Sequence, residues 1–392
     1  TTEIYTVYKS SAASDVYKRQ RQTRVIHVAG TNGKGSTCAL IDSLARAAGL
    51  RTGLFTSPHL VRYGERVRVS GGEITEDEIA DHLTTLRELV ADWDPHPTFF
   101  ELTLALAMKH FAERKCELVI LETGMGGRLD ATSAVPADVA VLTPVALDHQ
   151  QWLGDTLEEI AGEKAAIIRP RKPVFSAPQE PSVHTVIAQC ANERRAPLEF
   201  VEEPLHGYAI GLPGDHQKAN AALALEALHA LDVQLNYDIV QTGLSGARWA
   251  GRFETHRPSP FPAQHGSLTL DIAHNPSAAR ALAANWQREF GDTKGHLILG
   301  AVESKDVPGI LDPLLPLAQS LLLVPVNSPR GIPPADLLEL LPADHPPVQV
   351  FDNLLDALKV LTERPTLVTG SAFLVGEVLA AIEQAAHTPT AQ

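Results

Sequence analysis

Apolar and polar positions along this chain switch repeatedly between a strand period and a helix period. RVIHVAG (24–30) is a short β-branched run, and Ser36 to Ala48 spaces its apolar residues as an amphipathic helix stopping at Gly49. CELVILETG (116–124) reads as a buried strand ending at Glu122, and ADVAVLTPVALDH (137–149) as another ending near Asp148 and His149. Thr156-Leu157-Glu158-Glu159 has the form of a capping box, opening a helix that carries Lys164 and ends before Pro170. After Gly251 the texture changes: Arg257-Pro258-Ser259-Pro260-Phe261-Pro262 is proline-rich and predicts a linker. SLTLDIA, HLILGAV, SLLLVPV, VQVF and PTLVTG follow, each leading into a helical stretch. Alternating strands and helices predict an α/β protein with two mostly parallel sheets. The expected domains are 24–254 and 255–392, with relative movement about the linker.

Composition narrows the classes. A chain of 392 residues exceeds one ordinary core, which agrees with two domains. A net charge of −14 repels phosphate backbones and anionic membranes, so neither nucleic acid nor a membrane is an expected partner. No apolar run approaches the roughly 20 residues that span a bilayer. Cys38, Cys116 and Cys190 share no CxxC-type spacing, which excludes a disulfide scaffold and a cysteine-built zinc site and predicts the reducing cytoplasm.

The chemistry sits at strand ends. Between the first strand and helix lies Gly30-Thr31-Asn32-Gly33-Lys34-Gly35-Ser36-Thr37. Its glycines let backbone N–H groups converge on phosphate oxygens at a helix N-terminus. Lys34 supplies a cation, and a hydroxyl of Ser36 or Thr37 could reach Mg²⁺. The spacing departs from G-x-x-x-x-G-K-[ST], because only two residues separate Gly30 from Gly33. Ligands of parallel α/β sheets bind beyond the carboxyl ends of the strands, which would bring Glu122 and His149 beside this loop as metal ligands. Spacing alone leaves Lys164 open between a surface lysine and a site residue.

The first residues follow a different logic. TTEIYTVYKSSAASDVYKRQ has no capping pattern and no usable periodicity, and Ser10 to Gln20 resembles the translation of a sequencing-library adapter. Residues 1–23 are therefore expected to be a scar or an unstructured tail.

Eight ordered stretches together resemble the Mur ligase superfamily, and within it the dihydrofolate synthase/folylpolyglutamate synthase branch. They are HVAGTNGKGST (27–37), TSPHLVRYGERVRV (56–69), LETGMGGRLDAT (121–132), ALDHQQWLG (146–154), GEKAAII (162–168), GRF (251–253), DIAHNP (271–276) and TGSAFLVGEV (369–378). The resemblance implies a P-loop NTPase-like ATPase domain followed by a smaller Rossmann-like domain. It also implies a monomeric ATP-dependent amide ligase acting through an acyl phosphate. Gly33, Lys34, Gly35 and Ser36 match the ATP phosphate loop, and Asn220, Arg252 and Asp271 match further ATP contacts. Ser57 and Glu122 match ligands of a first Mg²⁺; His149, with Glu122 and a carbamylated Lys164, matches a second. Lys34, Lys164 and His274 are the implied catalytic residues, and Asn275 shares a motif with the last. Phe99, Phe100, Glu101 and Arg128 match the region holding the pterin, although Phe99 and Phe100 could equally begin a core helix.

The implied substrates are dihydropteroate or a reduced folate, L-glutamate and ATP. The family usually carries a longer segment ahead of the phosphate-loop strand, one that helps enclose the pterin. Weakened dihydropteroate affinity is therefore expected of the chain as written. Two alternatives stand beside this expectation. One is a Mur-type ligase for another carboxylate, such as a peptidoglycan precursor; the other is a non-catalytic ATP-binding switch.

Overall fold

A computed structural model of the chain describes residues 23–257 and 266–388. The adapter-like stretch Ser10 to Gln20 and the prolines at 258, 260 and 262 lie outside the described residues. The chain forms two compact units. Among the described residues, one comprises 23–57, Gly64–Gly211 and Gln217–Arg248; the other comprises Pro58–Tyr63, Leu212–His216, 249–257 and 266–388.

The first unit is built on eight strands: β1 (Arg24–Ala29), β2 (Thr52–Phe55), β3 (Val67–Val69), β4 (Gly72–Glu73), β5 (Leu118–Glu122), β6 (Val139–Leu142), β7 (Val174–Ser176) and β8 (Leu198–Phe200). Their order across the sheet is β4-β3-β2-β5-β1-β6-β7-β8, with β3 antiparallel to both its neighbours and every other pairing parallel. The middle strands are buried on both faces, which is why β1, β5 and β6 read as continuous apolar runs. The chain steps from β1 to β2 on one side and later crosses to β6 on the other. The carboxyl end of β1 is thus the switch point, where a parallel sheet opens a crevice for a ligand.

The helix after β1 (Lys34–Ala47) is buried from Gly35 through Ala45. The helix expected from the apolar spacing is present, and it is buried on its polar positions as well as its apolar ones. The helix Tyr237–Gly246 covers its outer side, where Gly243 lies against Leu44 and Ser43 Oγ donates to Gly243 O at 2.7 Å. A polar residue survives there because its hydroxyl is satisfied.

The second unit holds a six-stranded sheet: β9 (Glu254–His256), β10 (Leu268–Leu270), β11 (Gly295–Leu299), β12 (Ala318–Leu323), β13 (Val348–Val350) and β14 (Thr366–Thr369), in the order β13-β12-β11-β14-β10-β9. The five apolar runs expected as strands are β10 to β14, all mutually parallel. β9 is an added antiparallel edge paired to β10, so the proline-rich stretch joins two strands of one sheet. The unit itself begins ahead of that stretch, at Trp249.

Candidate active site

At the carboxyl end of β1 the chain turns through the phosphate loop. Gly33 caps the helix with φ +86°, and a Cβ there would lie 2.8 Å from Asn220 Oδ1, so both conformation and space demand glycine. Lys34 Nζ lies 3.1 Å from the carbonyl oxygens of Gly30 and Thr31, holding the ammonium over its own loop. Ser36 Oγ accepts from Gln217 Nε2 at 3.3 Å, and Gln217 Oε1 accepts from Asn220 Nδ2 at 2.9 Å. Gln217 therefore ties the loop to the helix His216–His229, a role sequence reasoning missed. Its signal was the i, i+3 spacing from Asn220 on one helix face. Thr37 Oγ1 is buried with no hydrogen-bond partner.

Ser57 and Glu122, far apart in sequence, are brought together. Glu122 ends β5, is buried, and its Oε2 accepts the Ser57 backbone N–H at 3.2 Å. Ser57 Oγ is also buried and without a hydrogen-bond partner. An orphaned hydroxyl beside a buried carboxylate is an oxygen donor pair suited to a hard cation.

The strand expected to reach Asp148 and His149 stops at Leu142. Pro144 lacks an N–H for the ladder, and its carbonyl accepts instead from the N–H groups of Thr31 and Asn32. The residues that follow wrap the phosphate loop: Thr31 Oγ1 donates to Ala146 O and accepts from Ala146 N, both at 3.0 Å. His149 has a left-handed backbone (φ 54°) at the start of the short helix Gln150–Leu153, and its Nε2 stands 3.8 Å from Asp148 Oδ2. A left-handed non-glycine residue persists only where its surroundings hold it.

Lys164 is buried near the end of the helix Leu157–Ala165, which Thr156 and Glu159 open with the expected capping box. Burial pushes its ammonium down to about 7, Lys34 adds to the push, and the carboxylates of Asp148 and Asp130 partly oppose it. Lys164 is thus a buried lysine and not a surface one. Among the described residues, no group of three or more His, Cys, Asp and Glu side chains is arranged to hold a metal. Of the four donors that the resemblance implies, only Glu122 and His149 belong to those types.

The pterin-region residues divide. Phe99 is 46% exposed with the Arg66 guanidinium 5.5 Å from its ring centroid, so it offers an open ring and is not core. Phe100 packs inward against Phe55, and a Cβ on Gly124 would meet its ring at 2.8 Å. Glu101 is occupied as a helix cap, its Oε2 accepting from Thr98 N at 2.7 Å and from Thr98 Oγ1 at 2.9 Å. Arg128 pairs with Glu163 at 2.8 Å across an exposed surface. Asp130, two residues on, was not singled out from the sequence. It organises this loop by accepting from the N–H groups of Met125 and Thr132.

In the second unit, Asp271 follows β10. Its carboxylate accepts from the backbone N–H groups of Phe253 and Ala273, each at 2.9 Å. Burial raises its pKa while Arg252 draws it back, which marks the two side chains as electrostatic neighbours. His274 Nδ1 lies 2.8 Å from Ile272 O. Asn275 is the N-cap of the helix Pro276–Phe290, with Oδ1 accepting from Ala278 N at 2.9 Å. That cap is the role its side chain performs.

The Mur ligase middle domain family matches residues 28–195, and the Mur ligase glutamate ligase domain family matches residues 251–371. The dihydrofolate synthase/folylpolyglutamate synthase of Escherichia coli is 36% identical over 378 residues, covering 92% of this chain and 86% of that protein. Crystal structures of Mycobacterium tuberculosis folylpolyglutamate synthase complexed with ADP and AMPPCP include one similar at a TM-score of 0.88 and 30% identity, covering 99% of this chain and 96% of that one. A bifunctional folylpolyglutamate synthase/dihydrofolate synthase with Mn, AMPPNP and L-glutamate bound is similar at a TM-score of 0.81 and 32% identity, with 94% of each chain covered. With this similarity running through both units, the chain belongs to the dihydrofolate synthase/folylpolyglutamate synthase family of Mur ligases.

Proposed function

We propose that this chain is an ATP-dependent amide ligase, adding L-glutamate to dihydropteroate, γ-linked glutamates to tetrahydrofolate, or both. The observation that carries the chemistry is the buried pairing of Ser57 with Glu122, in the unit where burial, with Lys34 adding to it, depresses the Lys164 ammonium. Carboxylate is a poor electrophile, so the ligase first makes it a good one. A substrate carboxylate oxygen bonds to the γ-phosphorus as the bond to the β–γ bridging oxygen breaks and ADP leaves. The glutamate amine then bonds to the acyl carbon, the C–O bond to phosphate breaks, and the amine loses its surplus proton to solvent.

Three anionic groups must be gathered for this. Gly33, Gly35 and Ser36 present loop N–H groups to the phosphates, and Lys34 moves its ammonium from the loop carbonyls onto them. Asn220, Arg252 and Asp271 are assigned to ATP, and His274 to the neighbourhood of the reacting groups. Ser57 and Glu122 are read as holding one Mg²⁺, with His149, Glu122 and Lys164 holding a second. When bound, these ions neutralise charge on the phosphoryl oxygens.

Lys164 fits that second role only as a carbamate. A buried ammonium would repel a cation, whereas an amine held to about 7 is substantially neutral at physiological pH and can attack CO₂. The neutral amine nitrogen bonds to the carbon as one C–O π pair moves onto oxygen, one proton leaves the nitrogen, and the side chain goes from neutral to negative with a hard oxygen donor created.

Phe99 and Phe100 are read as ring faces for the pterin, Arg128 as a cation beside it, and Glu101 as acting through its helix cap. The reading sets the enzyme in the cytoplasm as a monomer. Among the described residues no helix is long and apolar enough to cross a membrane. The test is ATP-dependent incorporation of labelled glutamate, offering dihydropteroate, tetrahydrofolate and a UDP-muramyl acceptor side by side. Product with either of the first two is expected; product only with the third, or none, defeats the assignment.

A further inference from the structure

The chain leaves the first unit after Ser57, contributes Pro58–Tyr63 to the second, and re-enters the first at Gly64. The base of this excursion is closed in the first unit, where Thr56 N donates to Arg66 O at 3.1 Å. Its tip is part of the second unit's core. Leu60 and Val61 are buried in one cluster with Ile272, Phe373 and Val375. His59 Nε2 lies 3.0 Å from Thr388 O, Thr388 N donates to Val61 O at 3.0 Å, and Arg62 pairs with Glu383 at 2.5 Å.

The closest approach falls at Gly376, on the helix Ala372–Glu383. A Cβ built there would penetrate the carbonyl oxygen of Leu60, and that oxygen belongs to the backbone and cannot rotate away. Glycine at this helix position costs helical stability relative to alanine. What it permits is contact between a helix and the backbone of the excursion.

Ser57 is thus the residue joining a closed base to an anchored tip. Its backbone N–H is held by Glu122, and its peptide bond leads to Pro58, the first residue of the segment seated in the second unit's core. Its buried hydroxyl makes no hydrogen bond that would otherwise orient it. We propose that Pro58–Tyr63 is a positioning strap for the Ser57 hydroxyl, and that Gly376, which touches neither substrate nor metal, is a positioning residue for metal binding through the seat it gives Leu60. The inference rests on Ser57 being a metal ligand. Partners that orient a metal ligand are typically worth about 10–100-fold in metal affinity.

The experiment measures Mn²⁺ binding by electron paramagnetic resonance in the presence of AMPPCP, with metal-free AMPPCP binding measured alongside. The full chain is compared with Ser57→Ala, Gly376→Ala and Leu60→Ala. The last two disturb the seat in opposite senses, one by overfilling it and one by emptying it. Ser57→Ala is the control for the site: unchanged Mn²⁺ affinity there refutes Ser57 as a ligand, whatever the strap does. Given a weakened Ser57→Ala, the strap predicts roughly tenfold weaker Mn²⁺ binding in at least one folded strap variant, with metal-free nucleotide binding retained. Folded strap variants with wild-type Mn²⁺ affinity overturn it. So does unfolding of both, because a segment whose loosening unfolds the protein is core and not a positioning device.

Discussion

The backbone N–H of Ser57 donates to Oε2 of Glu122 at 3.2 Å, joining the loop after β2 to the last residue of β5. Glu122 therefore has two separable tasks, holding a loop and carrying charge. Glu122→Gln keeps an oxygen acceptor for Ser57 and removes the charge. We expect it to fold normally and to lose on the order of 10²–10³ in turnover, as Lys34→Ala should, because each removes charge stabilisation at the transferring phosphoryl. Steady-state kinetics with unfolding midpoints measured in parallel check this, and near wild-type turnover in either variant contradicts the site.

Carbamylation of Lys164 should follow the amine's own titration. With the folded-state value at about 7, the neutral fraction is near its ceiling at pH 8 and falls about fivefold between pH 7 and pH 6. Enzyme depleted of CO₂ should regain activity on adding bicarbonate, more slowly by that factor at the lower pH once dissolved CO₂ is held constant. Lys164→Ala should be inactive and partly rescued by formate or acetate. An active enzyme whose Lys164 is an unmodified amine would count against the carbamate.

His27 lies in the centre of β1, fully buried, with Nε2 2.7 Å from Thr132 Oγ1. Burial, aided by Arg169, holds its pKa down to about 3 from the usual 6.5. Between those values the unfolded chain binds a proton that the folded chain does not, so stability is complete above pH 6.5 and declines as pH falls. The loss is about 1.4 kcal/mol per pH unit within the window. Denaturant titrations at several acidic pH values should show this slope in the parent chain and a shallower one in His27→Gln.

Glu101 distinguishes a ligand from a cap. If it acts through the helix Phe99–Glu113, then Thr98→Ala and Glu101→Ala should each lose about 1 kcal/mol of stability and shift KM for the pterin substrate alike. A KM increase confined to Glu101→Ala would mean that the carboxylate meets the substrate itself.

Much of this was legible in the chain. The apolar runs announced β1, β5 and β6 of the first sheet and the five parallel strands of the second, because buried strands need no polar face, and the Thr156 capping box announced its helix. Other features depend on partners distant in sequence. The stop of β6 at Leu142 follows from Pro144 giving its carbonyl to the phosphate loop, a tertiary bond that no local period encodes. Asn275 followed by Pro276 has the form of a helix N-cap, and its side chain caps the helix Pro276–Phe290. Leu60 and Val61 are apolar residues amid first-unit sequence, and nothing local reveals that they fill the core of the other unit.

That misplaced pair of residues bears on how the chain is made. A fragment beginning at Trp249 would lack Leu60 and Val61, as well as the segment Leu212–His216, all of which belong to the unit it is meant to form. During synthesis these pieces emerge early and must wait for the last strand, β14, and the helix that follows it. Closing contacts across such sequence separations is slow. The second unit is therefore completed only after the helix Ala372–Glu383 has left the ribosome, and the two halves cannot be exchanged between relatives by a single crossover without parting a core from its own residues.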